Sequence, residues 1–151
     1  MGGWAGRLGS VRVRTDKRNG RRLGSCQYTN CLGTDLSIRL HEDHRWAGGG
    51  DRCKAGHYFI ANMPTEEIFT APLRDGVDGV VYAAMPLVHD GNIVDGFHMV
   101  VREGKIVEVH AQTGEDTLQA AISLDEGASY FGEVALVPYD RPISNQKILF
   151  Y

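Results

Sequence analysis

Downstream of residue 32 the hydrophobic positions fall into short runs separated by turn residues. "GTDLSIRL" alternates Leu36, Ile38 and Leu40 with Ser37 and Arg39, the period of a half-buried strand. "AGGGDRCKAG" reads as a loop by its glycines, and "HYFIANMP" as a strand stopped by Pro64. The runs "DGVVYAAMPLV", "NIVDGFHMVV" and "KIVEVHA" are separated by "HDG" and "REG", which are turn chemistry with a glycine free to take positive φ. They predict an antiparallel meander. "TGEDTLQAAISL" predicts a short helix, with Thr113 as N-cap, Asp116 three residues on, and Leu118, Ala121 and Ile122 on one face. "VALVPY" and the terminal "KILFY" read as apolar strands. Residues 1–32 are rich in glycine and arginine without a clear period and are expected to form a basic, poorly structured segment. The pattern predicts an α+β fold, mainly an antiparallel sheet with one or more short helices, over residues 33–151.

A length of 151 residues suits one domain with a real core. The net charge of −3 hides an asymmetry. Arg7, Arg12, Arg14, Lys17, Arg18, Arg21 and Arg22 stand against Asp16 alone, which leaves nine basic and eighteen acidic residues in the rest. An acidic body favours cations and amine-bearing ligands. The basic arm lacks interleaved aromatics and any known module, so nucleic acid is not the expected partner. No apolar run is long enough to cross a membrane, and "MGGWAGRLGSVRV" lacks the apolar stretch of a secretory signal. Cys26, Cys31 and Cys53 are odd in number and irregularly spaced, which fits reduced thiols in the cytoplasm.

Most candidate chemistry falls to a simpler reading. His41 and His44 of "HEDH", followed by Cys53 and His57, match no standard zinc spacing and read as exposed loop residues. His89, His98 and His110 occur singly on or between strands, as structural histidines do. The glycines of "AGGGDRCKAG" lack the lysine and the strand-to-helix step of a phosphate loop. No serine or cysteine sits in a nucleophile elbow. The acids remain. Glu66 and Glu67 lie in "ANMPTEEIFTAP" between prolines and apolar residues, and Glu133 precedes the apolar run "VALVP". Carboxylates against apolar flanks need a compensating cation, and a divalent metal can compensate two of them together.

These motifs, with "GTDLSIRL", "HRWAGGG", "GKIVEVHAQTGEDTL" and "GASYFGEVALVPYDRPIS", resemble the M29 metallopeptidases, the thermophilic aminopeptidases of the T, S and II types. The similarity runs from about Lys17 to Tyr151, and residues 1–16 match no part of it. The resemblance implies a partial catalytic domain of a two-domain aminopeptidase, homodimeric at full length, that hydrolyses the first residue from peptide substrates. It implies two divalent metal ions (zinc, cobalt, manganese or magnesium). Glu67 of "PTEE" and Glu133 of "GEVALVP" correspond to metal ligands, with Glu66 as a group behind them or the general base.

The resemblance also implies two histidines, an aspartate and a tyrosine downstream of "KILFY". The chain is therefore expected to be an internal fragment, inactive by itself. None of its histidines is expected to ligate a metal beside Glu67. The alternative is a non-enzymatic truncated product or a weak divalent-metal-binding domain.

Overall fold

The computed structural model describes residues 10–18, 21–60, 66–138 and 140–146. Its main element is a six-stranded sheet in the order β1-β2-β3-β8-β11-β12, antiparallel throughout. These strands are β1 (Ser10–Arg18), β2 (Arg21–Thr29), β3 (Asp35–Leu40), β8 (Pro72–Tyr82), β11 (His98–Arg102) and β12 (Lys105–His110). The alternation in "DLSIRL" does what its period predicts. Leu36, Ile38 and Leu40 are buried, and Ile38 lies between Cys26 of β2 and Val77 of β8. Val101, Ile106 and Val109 extend the same core across β11 and β12.

Both turns of the predicted meander are present. β9 (Leu87–His89) and β10 (Asn92–Val94) join through Asp90 and Gly91, and β11 and β12 through Glu103 and Gly104. All four turn residues have positive φ: 49°, 76°, 48° and 80° in that order. This left-handed pair matches the twist of the flanking strands. The second turn is pinned to β8. Gly104 N donates to Val77 O at 2.8 Å, and Glu103 N donates to Asp78 Oδ1 at 2.8 Å. A Cβ at Gly104 would lie 1.6 Å from Arg74 O, so close backbone approach requires glycine here as well as positive φ.

Three differences from the sequence reading stand out. The segment expected to be poorly structured contains β1 and β2, paired from Ser10↔Thr29 to Arg18↔Arg21. Val11 and Val13 alternate with Arg12 and Arg14, and Asn19-Gly20 between the strands is a strong hairpin signal in sequence that composition alone hides. The glycine stretch expected to be all loop contributes β4 (Ala47–Gly48) and β5 (Gly50–Arg52), and β5 pairs with β6 (Tyr58–Ile60).

The helix α1 (Glu115–Ile122) is capped by Gly114, not Thr113. Thr113 is committed to a bridge with Asp95, its N donating to Asp95 O at 3.2 Å and its O accepting from Asp95 N at 3.1 Å. The helix therefore starts one residue later, from a left-handed Gly114 with φ 75°. Leu118 is buried as expected, with Ile122 against the core. A second short helix, α2 (Pro142–Gln146), follows the last strand, and "KILFY" lies outside the described residues.

Candidate metal centre

The predicted site residues stem from a smaller, three-stranded sheet in the order β13-β7-β4, built from β13 (Val134–Leu136), β7 (Ile68–Thr70) and β4. Its register decides where the carboxylates go. Val134 pairs with Thr70, Ala135 with Phe69 and Leu136 with Ile68, and Ala47 of β4 pairs with Phe69 from the other side. Val134 and Thr70 are buried, so this face of the ladder meets the core. By alternation the other face carries Phe69, Ala135 and Ala47. Continued one residue past each end, the same alternation puts Glu67 and Glu133 on that second face too.

The two glutamates leave the ladder at opposite ends. Glu133 falls across from Ala71 and Glu67 across from Val137, a backbone offset of about 13 Å at strand rise. The register thus gives them one face without setting them side by side. Glu133 is exposed and borders two hollows. One, of about 460 Å³, is lined by His41, His44, Arg45, Phe69 and Ala71 among others. The other, of about 500 Å³, lies between β13 and the six-stranded sheet.

Glu66 and Glu67 are both half-buried. Glu66 Oε2 is buried without a hydrogen-bond partner among the described residues. A buried carboxylate oxygen left in that state is costly, and a cation is the partner that would relieve it. In donor chemistry, then, Glu66, Glu67 and Glu133 suit a hard or borderline divalent ion. In number they do not close a site. Among the described residues no group of three or more histidine, cysteine, aspartate or glutamate side chains could hold a metal ion. Metal sites of this kind need at least three protein ligands, so no reaction step is derived through an ion here.

The histidines divide in a way their spacing could not show. His41 and His44 line the first hollow with Glu133. His41 Nδ1 accepts from Asp43 N at 3.2 Å, and His44 Nδ1 lies 2.7 Å from His41 O, so the His44 proton is on Nδ1. The His44 ring is half-buried rather than exposed because it packs on Gly24, where a Cβ would come within 2.4 Å of Cε1. His98 and His110 are cross-strand neighbours in a row with Tyr82, with ring centroids 4.7 and 5.1 Å apart. Cys53 and His57 belong to the β5–β6 turn, where Cys53 N donates to His57 O at 2.9 Å.

The small sheet is tied to the large one by Tyr28 of β2, which donates from Oη to Ala135 O at 3.1 Å. Burial, with a contribution from Cys26, pushes the Tyr28 phenol up to about 12. Burial also raises the Cys26 thiol. This tie was absent from the sequence reading, and no local motif could have revealed a contact between residues so far apart in the chain.

Comparison with known proteins completes the description. The chain is 47% identical over 148 residues to aminopeptidase AmpS of Bacillus subtilis, covering 98% of this chain and 36% of that protein. It is 44% identical over 133 residues to aminopeptidase T of Thermus thermophilus, covering 88% of this chain and 32% of that one. The solved structure of wild-type AmpT from Thermus thermophilus matches 95% of the chain and 32% of its own length, with a TM-score of 0.75 and 38% identity. The chain therefore spans about a third of the length of the curated relatives it matches. The family description Thermophilic metalloprotease (M29) fits residues 2–151. That extent corrects the expectation that residues 1–16 lie outside the similarity. A strand such as β1 demands only alternation, so it offers no motif by which to recognise it. The chain belongs to the M29 family of thermophilic metalloproteases.

Proposed function

We propose that this chain is part of a metal-dependent aminopeptidase in which Glu67 and Glu133 supply carboxylate ligands and Glu66 stands behind them. The observation that carries the reading is Glu66 Oε2, buried beside Glu67 without a partner among the described residues, in a chain whose relatives are named aminopeptidases. Two divalent ions, when bound, would supply Lewis acidity and an activated water. The work left to the protein residues is to hold and orient. Glu67 and Glu133 would fix charge on one face of the β13-β7-β4 sheet, and the acidic body of the chain would favour the α-ammonium of a peptide. Cys26, Cys31 and Cys53 are not joined in disulfides, which supports a reducing, cytoplasmic setting. No helix among the described residues is long and apolar enough to cross a membrane.

The test has two arms. In a protein of its relatives' length, Glu67→Gln is expected to lower kcat/KM on leucine-p-nitroanilide by more than about 100-fold, beyond the usual loss from a group behind the ligands. Unchanged turnover in that variant would sink the assignment. The 151-residue chain itself is expected to show no measurable hydrolysis with cobalt, zinc or manganese, because its described residues hold no three-donor cluster. Metal-dependent turnover by that chain, lost in Glu67→Gln, would mean that the complete site lies within it.

A further inference from the structure

The six-stranded sheet brings together side chains that the carboxylate reading does not use. β11 and β12 pair so that His98 stands directly opposite His110, and β8 sets Tyr82 beside His98. Their strand neighbours Met99 and Val109 pack into the core, so alternation sends both histidines to the other face. The Tyr82 and His98 rings stack at 17° between planes, and the His98 and His110 rings lie 5.1 Å apart at 34°. Tyr82 is itself pinned, its N donating to Thr34 Oγ1 at 2.8 Å. On the far side of the row, Glu115 Oε2 lies 3.8 Å from His110 Nδ1 and is held there by accepting from Ala111 N at 2.9 Å. A carboxylate facing Nδ1 leaves Nε2 as the nitrogen for a further partner. The His98 ring nitrogens make no hydrogen bond or ion pair among the described residues. The His110 side chain is 58% exposed, so the pair opens to solvent.

We propose that His98 and His110 form a two-imidazole site for a borderline divalent ion, zinc in the first place. The spacing is what such a chelate needs. An ion about 2.0–2.1 Å from a ring nitrogen sits about 3.2 Å from that ring's centroid. Two centroids 5.1 Å apart then subtend about 105° at a shared ion, close to the tetrahedral angle. The paired strands fix both Cα positions, so only the soft ring torsions have to adjust. Glu115 behind His110 completes the carboxylate–histidine arrangement that orients metal-bound imidazoles and raises their basicity. Two protein ligands leave the remaining positions to water, so the site is open and exchanges its ion readily. Imidazole donors select zinc, nickel and copper(II) over magnesium, which takes oxygen ligands.

The experiment titrates the 151-residue chain, carrying isotope-labelled histidine rings, with zinc chloride and separately with magnesium chloride. Zinc is expected to shift the ring signals of His98 and His110 together, along one saturation curve, and magnesium to leave both unmoved. His98→Gln and His110→Gln should each weaken that zinc binding by more than about tenfold, the least that is usual even for a group behind a ligand. If either variant does not fold, the ring shifts of the natural chain decide alone. Movement of only one of the two rings, shifts confined to His41, His44, His57 or His89, or an equal response to magnesium overturns the proposal. So does an affinity for zinc that either substitution leaves unchanged. The row of Tyr82, His98 and His110 would then be an aromatic stack and nothing more.

Discussion

The six-stranded and three-stranded sheets are built from the same kind of strand, yet they commit their side chains differently. The larger sheet buries Leu36, Ile38, Leu40, Val77, Val101, Ile106 and Val109 in one continuous layer. Within β13, β7 and β4, Val134 and Thr70 are the buried positions, and the opposite face is given to Phe69, Ala135 and the two glutamates beyond the strand ends. A hollow, not packed side chains, separates part of β13 from the larger sheet, and Tyr28 spans it with a hydrogen bond. Stability is concentrated in one sheet and the candidate chemistry in the other. The difference teaches that a surface able to hold charge is kept apart from the layer that holds the fold.

The strongest way to break this contrast is to truncate the large sheet at its middle. Ile38→Ala should cost about 2–5 kcal/mol, because Ile38 is enclosed between Cys26 and Val77 and the cavity cannot collapse without moving paired strands. Urea unfolding followed by far-UV circular dichroism measures it through the midpoint at constant slope. A cost below about 1 kcal/mol would mean that this layer is not where stability resides.

The same contrast explains what could be read in advance. β3 was legible because Leu36, Ile38 and Leu40 repeat at the strand period, and the β9–β10 and β11–β12 turns because "HDG" and "REG" sit between apolar runs. Such signals are local. β4 and β5 were not legible, since strands of two and three residues made largely of glycine and charge have too few positions to show a period. The cap at Gly114 was missed because Thr113 is held by Asp95, a contact outside the helix. At the candidate site, the acidic pair Glu66–Glu67 stood out against its apolar flanks. The face it shares with Glu133, the hollows that Glu133 borders and the Tyr28 tie all depend on pairing between distant segments.

Removing that tie sharpens the comparison by a smaller effect. Tyr28→Phe should cost about 1 kcal/mol, the usual net worth of one hydrogen bond. Amide exchange should accelerate at Ala135 and Leu136 while β3 stays protected. Equal acceleration in both sheets would show that Tyr28 serves the whole fold and not β13. The pH dependence follows from the phenol. Its native pKa of about 12 lies above the ordinary phenol value of 10.0, so the native state keeps a proton that the unfolded chain gives up. The associated stability is intact below pH 10 and declines as pH rises from 10 towards 12. The gap between the natural chain and Tyr28→Phe should therefore narrow across that window. A gap that stays constant or widens contradicts the buried, proton-bearing Tyr28.

The smallest effect is expected at Ile68, at the free end of the small sheet. Ile68 pairs with Leu136 and Gly48 but is 45% exposed, so its burial contributes little. Ile68→Thr keeps the β-branch that suits an extended backbone and exchanges a methylene group and methyl for a hydroxyl that water can satisfy. The change should stay within about 0.5 kcal/mol, the range of ordinary surface substitutions. It should also leave the affinity of the chain for manganese unchanged, because Ile68 and Glu67 are on opposite faces by alternation. A cost of about 1.5 kcal/mol or more in urea would show that Ile68 is covered, and that the small sheet carries part of the stability assigned here to the large one. Weaker manganese binding at unchanged stability would instead mean that Ile68 shares the face of Glu67, and the register beyond the end of β7 would have to be redrawn.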